Sequence, residues 1–178
     1  MSDKPAWEAK PALVQLHADI EARVRSIREK HPDWLCGKGC DACCRRLSNV
    51  PQLTAAEWSV LRQGLLALAP VRREAICRKV AELRANEEPP IVCPLLDHAN
   101  GTCPVYAERP IACRSYGFYV QRDRGLYCRE IETHVAEGAL ADVVWGNHDA
   151  IDQRLAGMGE SRPLTEWFAA WKPEINRP

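Results

Sequence analysis

Eight of the nine cysteines fall into two groups, and this division limits the chain more than any other feature. The stretch "CGKGCDACCRR" places Cys36, Cys40, Cys43 and Cys44 within nine positions, spaced C-x3-C-x2-C-C. Cys93, Cys103, Cys113 and Cys128 follow downstream, over turns and short extended segments. A chain of 178 residues can bury its own core as one domain, 1–178, so crosslinks are not required by small size. "MSDKPAWEAK" lacks the apolar stretch and cleavage site of a secretory signal. No apolar run approaches the roughly 20 residues that span a bilayer. A cytoplasmic chain with no membrane partner is expected. In a reducing compartment, abundant thiols point to metal or redox chemistry rather than structural disulfides.

Helical periodicity dominates the rest of the sequence. Leu13, Leu16, Ile20, Val24 and Ile27 form a stripe from Pro11 to about Lys30, which His31-Pro32 ends. His17 beside it reads as surface or core edge. Thr54 and Glu57 make a capping-box pattern before Trp58, Leu61, Leu65 and Leu68. Pro70 breaks that helix and another follows with Ile76, Val80 and Leu83 inward, and the isolated Cys77 reads as a small buried hydrophobe. After the break at Asn86–Pro90, Asn100-Gly101 predicts a hairpin between Val92–Leu96 and Thr102–Val105. "SYGFYV" and "LYCREI" around Asp123-Arg124-Gly125 predict a second. Helices resume near Ala139, with Leu140, Val144, Ile151 and Leu155 on one face alongside His148. The last helix starts near Pro163 and buries Leu164, Trp167, Phe168 and Trp171. The expected fold is mainly α: a single helical domain carrying irregular cysteine-rich loops at 36–46 and 93–128, with one or two short β-hairpins.

The chemistry follows from the thiols. Thiolates suit zinc, and iron–sulfur clusters are also held by cysteine. Neighbouring side chains diverge on a strand or a helix, so Cys43 and Cys44 do not readily bind one ion. The doublet predicts two metal positions, or one ligand plus a thiol with another task. A four-thiolate zinc site carries a net charge of about −2. Arg45, Arg46, Arg109, Arg114, Arg122, Arg124 and Arg129 are read first as compensation for it, ahead of a solvated basic face or a nucleic-acid patch. The 24 basic and 24 acidic residues balance overall, which disfavours nucleic acid as a partner. Tyr116, Phe118, Tyr119 and Tyr127 are read as packing a hairpin. Asp97, His98, His134 and Asp149 are read as surface structure, and no catalytic constellation is found.

Cys36-x3-Cys40-x2-Cys43 also has the spacing used by radical S-adenosylmethionine enzymes, but no series of alternating strands and helices follows it. A disulfide-exchange enzyme would need a βαβ context around Cys40 and Cys43, which is absent.

The two groups together are more specific. "CGKGCDACCRR", "CPLLDHANGTCPVYAERPIACRSYG" and "YC" resemble the CxxCxxCC family of zinc- or iron-chelating domains, also called YkgJ-like cysteine-cluster proteins. The match runs from Cys36 to Cys128, and its R-P-x-x-C-R stretch at Arg109 to Arg114 is the most specific part. The resemblance implies that Cys36, Cys40, Cys43, Cys44, Cys93, Cys103, Cys113 and Cys128 bind zinc or iron, including iron as an iron–sulfur cluster. It leaves open a structural module that contacts a protein partner, and an iron–sulfur redox protein or accessory enzyme related to a flagellin lysine methylase.

Overall fold

The computed structural model describes residues 9–122 and 124–175; Asp123, in the second expected turn, lies outside them. Helix α1 (Ala9–Lys30) follows the predicted stripe, with Leu13, Leu16, Ile20 and Ile27 buried and Val24 at the margin. It stops where expected, because His31 precedes a proline. His17 on this helix is half-buried. Its pKa is pushed down to about 4 by burial, then by Arg114, with Glu21 opposing.

Two short strands set the next pair of helices side by side. Strand β1 (Gln52–Thr54) leads directly into α2 (Ala55–Ala67). Strand β5 (Ser161–Pro163) leads directly into α7 (Leu164–Ile175) and pairs antiparallel with β1, Leu53 facing Arg162. The two helices therefore start together and share an apolar face. Trp58 meets Trp167, Phe168 and Trp171 with ring centroids 6.0, 5.3 and 5.6 Å apart, and Trp167 Nε1 donates to the Leu53 carbonyl at 2.9 Å. Helix α3 (Pro70–Ala85) closes this core with Ile76 and Val80. Cys77 is half-buried at its edge, a packing residue as its isolation suggested.

The second core joins α1 to α4 (Ile111–Ser115), to strand β2 (Tyr119–Gln121) and to α6 (His148–Ala156). Strand β2 forms the predicted hairpin with β3 (Arg124–Leu126), Tyr119 facing Leu126. The chain then departs from the expected strand. Cys128 caps α5 (Arg129–Ala136), whose first turn carries Glu130 and Glu132. Acidic side chains favour a helix N-terminus, and that preference outweighs the strand-like texture of "LYCREI". Residues 140–144 are likewise turn and loop rather than helix, with Val144 exposed. Strand β4 (Gly146–Asn147) explains this: it pairs parallel with β2, so the chain must be extended just before α6.

The Asn100-Gly101 hairpin shrinks to one bridge, Asp97 with Thr102. Asp97 Oδ1 accepts from the Ala99 amide at 3.1 Å, and Asn100 Oδ1 from the Thr102 amide at 3.1 Å. These local side-chain bonds take over from a longer ladder. The segment at 91–93 pairs elsewhere. Leu47 and Ile91 exchange both backbone bonds at 2.9 Å, and the Cys93 amide donates to the Cys44 carbonyl at 2.7 Å. Two cysteine-bearing segments some 50 residues apart thus run alongside each other.

Glu57 locks the helices to this arrangement. The capping box forms as predicted: Glu57 Oε2 accepts from the Thr54 amide at 2.9 Å, and the Glu57 amide donates to Thr54 Oγ1 at 3.3 Å. Its other oxygen, Oε1, accepts from the Ile111 amide at 2.9 Å, at the start of α4. Glu57 is only 4% exposed. Glu57→Ala would leave two buried amides without an acceptor, at about 1–3 kcal/mol each. A chemical denaturation curve should show a loss of about 2–6 kcal/mol, with Glu57→Gln losing less; an unchanged midpoint for Glu57→Ala would contradict this role.

Candidate metal centre

The first cysteine loop is shaped from both ends. Arg28 reaches back from α1, and its Nη2 donates to the Cys36 carbonyl at 2.9 Å. The Cys40 amide then bonds the Gly37 carbonyl at 3.1 Å, and Gly39 takes φ +97°, a region open mainly to glycine. A helical turn follows, with the Arg45 amide on the Asp41 carbonyl at 3.0 Å. Arg45 also pairs with the Asp41 carboxylate at 2.6 Å.

Three thiols of this loop meet one from far along the chain. Cys36, Cys40, Cys43 and Cys128 line one cavity of about 10 Å³, near the lower limit for a single water. Tyr116, Gly117 and Ile131 complete its wall. The Cys36 thiol lies 3.5 Å from the Tyr116 carbonyl. Gly117, at φ +88°, has no room for a side chain: a Cβ there would stand 2.8 Å from Cys36 Sγ. Burial pushes the Cys36 thiol up to about 12; Cys40, Cys43 and Cys128 add to the rise and Arg28 opposes it. Cys40 is exposed and the other three are half-buried.

Cys44 faces a different company. Its Cys43 contact acts to lower its pKa, but contact with Cys93 and burial win and push it up to about 12, with Cys103 adding to the rise. Cys113, carried on α4, is also raised to about 12 by burial, then by Cys43 and Cys44, with Cys103 contributing. Cys93 and Cys103 thus act on Cys44, and Cys43, Cys44 and Cys103 act on Cys113. Cys93 and Cys103 pack against the α2–α3–α7 core, and Cys36 against the other core.

The doublet is where the two sets meet. Cys43 Sγ and Cys44 Sγ are 3.9 Å apart, so the divergence expected of neighbouring side chains does not separate these sulfurs. The Cys43 thiol is raised first by that contact and then by burial, with Arg109 opposing. Among the described residues, no group of three or more His, Cys, Asp and Glu side chains stands in an arrangement that holds an ion as the thiols lie. They converge without closing. What fits a metal is the donor set itself, thiols gathered on two sides of one turn, with Gly117 leaving space for Cys36.

The arginines divide. Arg109 faces the thiols: it acts to lower Cys43, Cys103 and Cys113. Its guanidinium lies 3.4 Å from the Tyr106 ring centroid, and Nε donates to the Tyr106 carbonyl at 2.9 Å. Arg114 is a brace instead. Its Nε bonds the Arg109 carbonyl at 2.9 Å, Nη2 bonds the Ala107 carbonyl and Nη1 meets Glu21 at 3.1 Å. Arg46, Arg122, Arg124 and Arg129 are exposed, as a solvated basic face would be, and Arg45 is engaged by Asp41. Arg28 was not singled out in the sequence, where nothing local links it to Cys36.

Phe118 and Tyr119 are buried, Phe118 stacking on Trp34 at 5.7 Å, and Tyr127 packs on Trp145 at 5.1 Å. Asp97 bonds Arg72 at 2.7 Å and Asp149 accepts from the Arg122 amide at 3.0 Å. His98 and His134 are exposed. His148 opens α6 and lies 3.3 Å from Asp152.

A helical scaffold that converges thiols from two cysteine-rich segments defines a cysteine-cluster protein. Residues 35–133, more than half of the chain, match the family model CxxCxxCC, described as a "putative zinc- or iron-chelating domain". The chain belongs to that family. No curated protein and no solved structure matches it.

Gly117→Ala should drive the Cys36 thiol from its place, since the added methyl meets both the sulfur and an unfavourable φ. Metal analysis of the folded variant should show less metal per chain than the parent; equal content would show that Cys36 needs no such space.

Proposed function

We propose that the chain binds two metal ions through eight thiolates, one at Cys36, Cys40, Cys43 and Cys128 and one at Cys44, Cys93, Cys103 and Cys113. The observation that carries this reading is the division at the doublet. Cys43 lines a cavity with Cys36, Cys40 and Cys128, while the backbone of Cys44 is bonded to Cys93. Each proposed site takes ligands from both sequence groups, so metal would tie the loop at 34–46 to the segments that follow α3. Zinc and iron both suit thiolates. Arg28 beside the first set and Arg109 beside the second supply positive charge against the roughly −2 of a divalent ion with four thiolates.

Closed four-thiolate sites leave no open position for a substrate, so the role favoured is structural: metal shapes loops that present a surface to a protein partner. A reducing, cytoplasmic setting suits eight free thiols. The second reading is an iron–sulfur protein with a redox or accessory-enzyme role. Two thiolates on one ion stand about 3.8 Å apart when the metal–sulfur bonds are about 2.3 Å, so the 3.9 Å between the Cys43 and Cys44 sulfurs matches a pair on a single metal atom and does not separate zinc from iron. That spacing suits a shared centre.

Anaerobic purification with metal analysis separates the two. About two ions per colourless chain are expected. Cys128→Ser and Cys93→Ser should each remove about one ion and leave the other, while Cys77→Ser removes none. Brown protein with labile sulfide, or loss of all metal from either single variant, would overturn the two-site reading.

A further inference from the structure

An open groove of about 630 Å³ lies between α1 and the segment at 106–114, and the metal reading leaves its open space unassigned. This volume falls within the usual range for small-molecule sites, about 300–1,000 Å³. Four arginines line the groove (Arg25, Arg28, Arg109 and Arg114), against two carboxylates, Glu21 and Glu29. Glu21 is taken up by Arg114 at 3.1 Å. The balance of the lining is positive.

Two of these guanidiniums are already held in place. Arg109 lies against the Tyr106 ring and spends Nε on the Tyr106 carbonyl; Arg28 lies 5.2 Å from the centroid of Phe118 and spends one Nη2 on the Cys36 carbonyl. Both aromatic rings line the same groove. Each guanidinium keeps donors that no group among the described residues takes. Arg25, exposed on α1, has no partner among them. A planar fork fixed on an aromatic face loses little freedom when it binds a planar or tetrahedral oxyanion with two parallel bonds. The apolar wall of Ile20, Val24 and Phe118 gives such a ligand's carbon skeleton a surface to lie on.

We propose that this groove binds a small organic molecule through an oxyanion, a carboxylate or a phosphate, held between Arg28 and Arg109 with Arg25 at the rim. Cys36 and Cys113, one thiol from each proposed metal set, also line it, so the occupant lies beside both. The proposal rests on the donors that Arg28 and Arg109 keep free; it shares these two arginines with the charge compensation proposed for the metal sites, and the metal content of each variant separates the two roles.

The test uses the full chain as purified, with its metal content measured, at fixed ionic strength. Inorganic phosphate and succinate are titrated separately, followed by calorimetry and by the fluorescence of Trp34, which stacks on Phe118 at the groove wall. Saturable one-site binding of either probe supports the proposal. Phosphate alone assigns a phosphate ligand, succinate alone a carboxylate, and both a general oxyanion site. Arg28→Gln should weaken binding about tenfold or more, and Arg25→Gln should weaken it less. Arg124→Gln, an exposed arginine outside the groove, should bind as the parent does. Arg25→Gln also keeps the test decisive if Arg28→Gln fails to fold. No saturable binding of either probe, or parent-like affinity in both groove variants, overturns the proposal.

Discussion

The backbone pairing of residues 44–47 with 91–93 is the constraint on which the cysteine cluster depends. The Leu47–Ile91 bridge and the bond from the Cys93 amide to the Cys44 carbonyl bring two distant segments into one place. Without that pairing, the early group of thiols and the late group would belong to separate loops. Both neighbours of the pairing are apolar and packed: Ile91 is buried, and Leu47 lies against the α2–α3–α7 core. The scaffold therefore does the long-range work of closing a chain of roughly 50 residues, and a metal has only to draw in thiols that are already near.

The late group is positioned by polar contacts rather than by a strand. The buried Glu57 carboxylate holds the amide at the start of α4, and that short helix carries Cys113. Arg114, next in sequence, braces the preceding turn through the carbonyls of Arg109 and Ala107. That turn in turn sets Arg109 beside the thiols. The R-P-x-x-C-R stretch thus reads as one mechanical unit: the first arginine supplies charge, the cysteine a thiol, and the second arginine holds the shape. Binding of a structural zinc is worth on the order of 10–16 kcal/mol, against about 5–15 kcal/mol for the net stability of a whole domain. If the proposed sites hold metal, much of the stability of the loops at 34–46 and 93–128 resides in it.

The local signals in the sequence translated well into helices. The α1 stripe, the Thr54–Glu57 capping box and the Pro70 boundary are set by residues within a turn of one another, and each is found where its pattern placed it. The misreadings concern segments whose shape is decided from far away. Residues 140–144 carry a helical spacing but form a turn and loop that lead into β4, because β2 offers a pairing edge that only the folded chain reveals. Asn100-Gly101 signals a tight turn, yet the segment before it pairs with residues near the doublet. The two groups of cysteines are visible in the sequence, and so is the isolation of Cys77. The close approach of the Cys43 and Cys44 sulfurs and the reach of Arg28 to Cys36 are not, since both depend on the turn at Asp41–Arg45 and on the angle at which α1 meets it.

The central claim is that thiolates alone complete two single-ion sites. X-ray absorption at the metal edge of anaerobically purified protein tests this most directly. The account predicts a first shell of about four sulfurs at about 2.3 Å, with no oxygen or nitrogen donor. A shell containing oxygen or nitrogen, or an iron edge with short iron–iron vectors from a cluster, would contradict it.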